Sequence, residues 1–122
     1  MKRIVNVVFL AVVAFSMSMS AANPKVDLTK RQVGVLTSTA KTPDDHLKLA
    51  QYYDQRAEVM LAKSKEHEDM AATNRNNHMA GSKLYPMTVA HCESSAKSYR
   101  QDAQKMKEIA AEHRGMAEKA GM

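Results

Sequence analysis

The 122-residue chain has no tryptophan and only two phenylalanines, Phe9 and Phe15, both of which lie near its N-terminus. Residues 23–122 therefore contain four tyrosines and no other large aromatic side chain, which leaves little to fill an apolar core. The single cysteine, Cys92, excludes an internal disulfide. It can be a free thiol, an intermolecular bridge or a metal ligand.

Sequence signatures of common enzyme classes are also missing. The chain has no H-E-x-x-H motif, no glycine-rich phosphate loop, no C-x-x-C-H haem attachment and no serine nucleophile elbow. A cysteine–histidine pair could act as a nucleophile, but two long helices would offer no pocket with an oxyanion hole. We therefore expect no enzymatic activity.

The N-terminus has the composition of a secretory signal peptide. Lys2 and Arg3 precede an apolar stretch over 4–15, and small residues lead up to a cleavage site after Ala22. The apolar stretch is too short to span a membrane. We expect a periplasmic or secreted protein that has no membrane contact once 1–22 is removed. Its net charge of +3, against +5 for the whole chain, is evenly spread and gives no indication of nucleic-acid binding.

The remaining 23–122 form one predicted helical domain. A short helix is predicted over 28–40, a long helix over 43–74, a loop over 75–87 and a second long helix over 88–119. Thr42 is a suitable N-cap for the first long helix, and Pro43 suits its first position. No segment has the alternation of a strand.

An internal repeat relates the two long helices. Shifting the sequence by 46 positions aligns 46–71 with 92–117 and gives nine identities in 26 positions, where about two are expected by chance. In both copies, positions that are four and then three residues apart form a heptad series in which large and small residues alternate. We call these positions the seam. Its members in the first helix are His46, Ala50, Tyr53, Ala57, Met60, Ser64, His67 and Ala71. Its members in the second helix are Cys92, Ala96, Tyr99, Ala103, Met106, Ala110, His113 and Ala117.

The alternation predicts an antiparallel hairpin in which every large seam residue faces a small one. With the turn near residue 81, facing residues should have numbers that add up to about 163, as for Ala57 with Met106 and Ala71 with Cys92. The same register brings His46 close to His113 at the open end, where the segment around Val33 should dock. A seam rich in alanine buries little area, so a dimer forming a four-helix bundle is expected.

Two groups of seam residues could bind metal. Imidazole, thiolate and thioether groups are ligands for copper and zinc. At the turn end, the predicted ligands are His67, His91 and Cys92, with Met70 or His78 as a fourth. At the open end, His46 and His113 form a second possible pair. The alternative is that these side chains only pack in the seam or meet solvent, as we expect of Met60 and Met106.

Several short motifs resemble those of a group of small exported bacterial all-helical proteins. They read A-K-T-P-D-D-H-L-x-L-A-x-Y-Y over 40–53, H-x-x-M-A over 67–71, A-H-C over 90–92, S-Y-R over 98–100 and H-x-x-M-A over 113–117. The resemblance covers about 28–117. It implies export and an all-helical hairpin, and it carries no activity.

Two functions are consistent with these features. The first is a structural or interaction module of the cell envelope, without enzymatic activity, that pairs with itself or with an envelope protein. The second is a periplasmic copper- or zinc-binding protein that uses the turn-end ligands. No other cofactor is expected.

Overall fold

The computed structural model describes residues 25–76 and 85–122, with only the backbone described for 85–87. The described chain is all-helical: α1 spans Lys30–Thr39, α2 spans Pro43–Asn76 and α3 spans Tyr85–Ala120. None of these helices is long and apolar enough to cross a membrane. The predicted signal peptide over 1–22 and most of the predicted loop lie outside the described residues.

The short helix α1 is defined by its N-terminal cap. The Thr29 hydroxyl accepts a hydrogen bond from the Gln32 N–H, and the Gln32 side chain accepts one from the Thr29 N–H, which is a capping box. The hydroxyls of Thr37 and Thr39 donate hydrogen bonds to the backbone carbonyls four residues earlier in the helix. Such bonds do not extend a helix, and α1 stops after 10 residues, slightly inside the predicted 28–40.

The start of α2 has a cap of the same type. The Thr42 hydroxyl accepts a hydrogen bond from the Asp45 N–H at 3.1 Å, and the Asp45 carboxylate accepts from the N–H groups of Thr42 and Lys41, both at 3.2 Å. Pro43 follows in the first helical position, where no N–H is needed. The structure therefore begins α2 at the residue where the sequence predicts it. The other bounds extend the predictions, since α2 continues to Asn76 and α3 starts at Tyr85.

Helices α2 and α3 pack against each other along the seam. All eight small seam residues are buried: Ala50, Ala57, Ser64, Ala71, Ala96, Ala103, Ala110 and Ala117. Six of the large ones are half-buried: His46, Tyr53, Met60, His67, Tyr99 and Met106. Small residues therefore let the two backbones approach closely, while the large side chains lie across the partner helix with one edge toward solvent.

Specific contacts fix the antiparallel direction and the register. The imidazole of His46, near the start of α2, meets that of His113 near the end of α3. At the opposite end, Ala71 lies in one buried cluster with Cys92, a pair that the predicted register contains. Midway, the Ser64 hydroxyl donates to the carbonyl of Ala96 at 2.8 Å inside the seam. The hairpin and its register are therefore those that the heptad predicts.

The segment before α2 covers part of that helix. Leu49 lies beside the seam and is fully buried, and residues 51–56 are all half-buried. The Gln55 amide, oriented so that both of its groups are satisfied, donates to the Val26 carbonyl at 2.9 Å and accepts from the Val26 N–H at 2.7 Å. Val33 is the buried residue of α1, which contacts α2. A second layer thus lies over the first half of α2, at the end where the sequence predicts docking.

One edge of the hairpin carries three ion pairs between α2 and α3, which we call the charged edge. The pairs are Asp54 with Arg114, Glu68 with Arg100, and Arg75 with Glu93. Their members recur at multiples of seven residues along each helix, so they occupy one heptad position next to the seam. Five of the six side chains are about half-exposed and Asp54 is 28% exposed, so each pair contributes at most about 1 kcal/mol.

Candidate functional site

The turn-end ligands predicted from the sequence are not gathered around one point. The His67 ring stacks on Tyr99, with ring centroids 5.5 Å apart and an angle of 24° between the planes. Cys92 is buried beside Ala71 and Val89. His91 is exposed, and so is much of Met70. The seam therefore uses His67 and Cys92 as packing residues.

Within 25–76 and 85–122, no three histidine, cysteine, aspartate or glutamate side chains are grouped so that they could hold a metal ion. His67, His91 and Cys92 thus do not make a three-ligand set. His78, the possible fourth ligand, lies outside the described residues. Metal binding at the turn end remains a hypothesis from the sequence.

The open end does bring its two histidines together. The Nδ1 atoms of His46 and His113 lie 3.2 Å apart, and the ring centroids are 5.5 Å apart with planes inclined by 27°. In the neutral pair one imidazole donates a hydrogen bond and the other accepts it, so both cannot carry a proton on Nδ1 without repulsion. His46 comes from the first turn of α2 and His113 from the last third of α3.

The surroundings of His113 favour its neutral form. Burial lowers the pKa of the His113 imidazole below its usual value, and the adjacent His46 lowers it further, while Glu112 acts in the opposite direction. Burial penalises the charged form of a base because the seam replaces water around it. A neutral imidazole has a lone pair free for a hydrogen bond or a metal ion.

Tyr53 supports the back of this pair. Its ring lies parallel to that of His113, with an angle of 6° and centroids 6.0 Å apart, and Tyr52 packs edge-on against Tyr53 at 5.3 Å. Three rings in a row, Tyr53, His113 and His46, therefore close the open end of the seam. Because His113 is held between two rings, its orientation is set by packing as well as by the hydrogen bond.

The two ends of the hairpin are related by the 46-residue repeat. Tyr99 and His113 are the repeat equivalents of Tyr53 and His67. The stack of Tyr53 on His113 therefore has its counterpart in the stack of Tyr99 on His67, at similar distances. An approximate two-fold axis through the middle of the hairpin exchanges one end with the other.

The two ends differ in the residue that lies next to the tyrosine–histidine stack. The repeat equivalent of His46 is Cys92, so the turn end has a thiol where the open end has a second imidazole. The His113 Nδ1 atom is paired with His46, whereas the His67 Nδ1 atom is buried with no hydrogen-bond partner among the described residues. One substitution between the two repeats thus removes the partner of a buried ring nitrogen.

Sequence reasoning missed the two tyrosine–histidine stacks and the charged edge. Tyr53 and Tyr99 are predicted only as large seam residues, and the heptad alone does not indicate that each stacks on a histidine of the other helix. A signal for the stacks was present, because tyrosine and histidine recur together at a 14-residue spacing in both copies. For the charged edge, the signal was a carboxylate or guanidinium directly after a large seam residue, which holds for every member except Arg75.

The arrangement of His46 and His113 offers two adjacent imidazole nitrogens on packed helices, and the Glu112 carboxylate is close enough to act on the His113 imidazole. It has no nucleophile activated by a base, and the Cys92 thiol lies at the other end of the seam. Comparison with known proteins adds nothing further. No family model, no curated protein and no solved structure matches this chain.

Proposed function

We propose that this chain is an exported helical-hairpin module of the cell envelope that acts by associating with a second helical surface, without catalytic activity. The simplest partner is a second copy, which would complete a four-helix bundle. An envelope protein is the other possible partner. One observation supports association: the hairpin fully buries only one large side chain among its described residues, that of Leu49.

The rest of the large apolar surface remains accessible. Six large apolar side chains within the helices are 39–57% exposed: Val35, Leu47, Val59, Leu61, Met70 and Met116. They occur on all three helices. An alanine seam removes little apolar area from water, so a single hairpin of this size should be only marginally stable. Covering some of these side chains would add the missing apolar burial.

Export is the second part of the proposal. It relies on the residues before 23, where two basic residues, a 12-residue apolar stretch and a small-residue cleavage site follow one another. The even spread of positive and negative side chains on the helices agrees with a protein that works in water and meets other proteins.

The test is the size and stability of the protein recovered from the periplasm. Its mass should correspond to a chain that begins at Asn23, and it should sediment as a dimer with a melting temperature that rises with protein concentration. Leu61→Gln should weaken the dimer by about tenfold, because it removes apolar surface worth about 1–2 kcal/mol. Ala62→Gln, at the next exposed position, is the control and should have little effect.

Two results would overturn the proposal. A monomer at about 100 µM, with a melting temperature independent of concentration, would show that the hairpin needs no second copy. Retention of 1–22 in a protein that stays in the cytoplasm would exclude the envelope. A monomer recovered from the periplasm in a stable complex with an envelope protein would replace the homodimer with that partner.

A further inference from the structure

The distance between the two open-end histidines matches the requirement of a metal ion. A zinc or copper ion binds imidazole nitrogen at about 2.0–2.1 Å. Two nitrogens 3.2 Å apart would then subtend an angle of about 100° at a shared ion, between the square-planar and tetrahedral values. The Nδ1 atoms of His46 and His113 therefore have the spacing of two ligands of one ion. In the structure they face each other along their hydrogen bond, so each ring would turn to aim its lone pair at the ion.

The two imidazoles are also held in place. His113 is buried in the seam and lies flat against Tyr53. His46 belongs to the capped first turn of α2, where Thr42 and Asp45 fix the backbone one turn away. Because the helix backbones that carry both ligands are fixed before binding, only the orientation of the two rings changes when the ion arrives, so two residues can suffice for measurable affinity.

We propose that His46 and His113 form a two-imidazole site for a single borderline divalent transition-metal ion, with Cu(II) bound most tightly. Imidazole is a ligand for copper, nickel and zinc, and copper leads the affinity order for a given set of nitrogen ligands. Water fills the remaining coordination positions, because His46 is only half-buried. The carboxylates of Asp45 and Glu112, each adjacent in sequence to one of the ligands, favour a cation at this end.

This site is distinct from association with a second hairpin, because both ligands come from one chain. It also differs from the turn-end site predicted from the sequence. There the repeat leaves one imidazole, His67, next to the layer of Cys92, and its Nδ1 atom has no partner among the described residues. The turn end thus provides an internal comparison with a single imidazole.

The test is titration of the untagged, metal-free protein with CuCl₂ and with ZnCl₂, followed by calorimetry and by electron paramagnetic resonance of the copper form. We expect one Cu(II) per chain with a dissociation constant of about 10 µM or tighter, and weaker binding of Zn(II). The copper spectrum should show coupling to two imidazole nitrogens. His46→Gln and His113→Gln should each weaken Cu(II) binding by at least about tenfold, because each leaves a single ligand without its tethered neighbour.

Two matched variants locate the effect. His67→Gln removes the repeat equivalent of His113, and His91→Gln removes an exposed histidine of the same helix. Both should bind Cu(II) like the unsubstituted protein. Because His113→Gln alters a buried position and can unfold the chain, helicity is measured for every variant, and the His46→Gln result decides if His113→Gln is not helical.

Three outcomes overturn the inference: no binding of Cu(II) up to about 1 mM, unchanged binding in a folded His46→Gln, or loss of binding in His67→Gln or His91→Gln. The monomeric or dimeric state of the protein does not enter any of these measurements, so this site can fail while the association proposal stands, or the reverse.

Discussion

Single residues set the ends of the helices and the chemistry of the seam. Thr42 and Asp45 satisfy one another's backbone N–H groups before α2 begins. The bonds to Lys41 and Thr42 lower the pKa of the Asp45 carboxyl, because they favour its charged form. Midway along α2, the Ser64 hydroxyl ties the seam to the backbone of α3. Local hydrogen bonds thus fix where α2 starts and how it is aligned.

The Asp45 cap predicts a pH dependence of stability. Its folded-state pKa lies below the unfolded value of 3.8, so its contribution is present above that value and is lost as the pH falls through the lowered folded pKa. Asp45→Ala should therefore be less stable than the unsubstituted protein at pH 7, and the difference should shrink at acidic pH. Urea unfolding at several pH values measures it. Glu58→Ala, at an exposed position inside α2, should show no such convergence, and a constant gap for Asp45→Ala would contradict the prediction.

At the scale of elements, α2 and α3 are matched through the small positions of the seam. Ala103 is buried between the helices, whereas Ala111 on the same helix is exposed. The two residues have the same chemistry and helix propensity, but only one of them controls the distance between the helices. The packing of the seam therefore depends on short side chains at its small positions as much as on the large side chains beside them.

Ala103→Leu should destabilise the hairpin by about 3 kcal/mol, because three added carbons have no space without separating the helices. Ala111→Leu should change the free energy of unfolding by less than about 0.5 kcal/mol, since the side chain points into water. Thermal or urea unfolding followed by circular dichroism compares them. Equal effects of the two substitutions would mean that α2 and α3 do not pack as closely as the structure shows.

The seam could be predicted from the sequence because its signal is periodic. Alternating steps of four and three, with large and small residues in turn, left one antiparallel register, and it placed His46 beside His113. The turn-end site stays a prediction: among the described residues the His67 ring packs on Tyr99 and His91 is exposed, while His78 lies outside them. The Gln55–Val26 bonds could not be predicted, since the segment before α1 has no periodicity and its path depends on tertiary contacts.

At the scale of the whole molecule, the repeat makes the two ends of the hairpin near-copies of each other. Both have a tyrosine–histidine stack, and they differ in the residue that meets the histidine, which is His46 at one end and has Cys92 as its equivalent at the other. If a property of the open end depends on His46, the turn end should therefore acquire that property when Cys92 is replaced by histidine.

Cys92→His should give the turn end the same pair of imidazoles as the open end. Its new ring would lie near the Nδ1 atom of His67, which has no hydrogen-bond partner within 25–76 and 85–122, so the number of Cu(II) ions bound per chain should rise from one to two. Calorimetric stoichiometry measures this, and Cys92→Ser is the control that should remain at one. A folded Cys92→His chain that still binds one ion would show that the two ends are not equivalent.

The charged edge has a consequence for which helix can pair with which. Arg100 and Arg114 are the repeat equivalents of Asp54 and Glu68, so both charged-edge carboxylates of α2 have an arginine in the corresponding place on α3. If α2 paired with α2 of another chain through the same seam, Asp54 would lie opposite Glu68. If α3 paired with α3, Arg100 would lie opposite Arg114. Like charges repel in both homotypic pairs, and opposite charges meet only in the heterotypic one. The repeat thus makes the two helices interchangeable in shape, while their charges make them complementary. In any dimer that reuses the seam, these charges favour the exchange of α3 between chains.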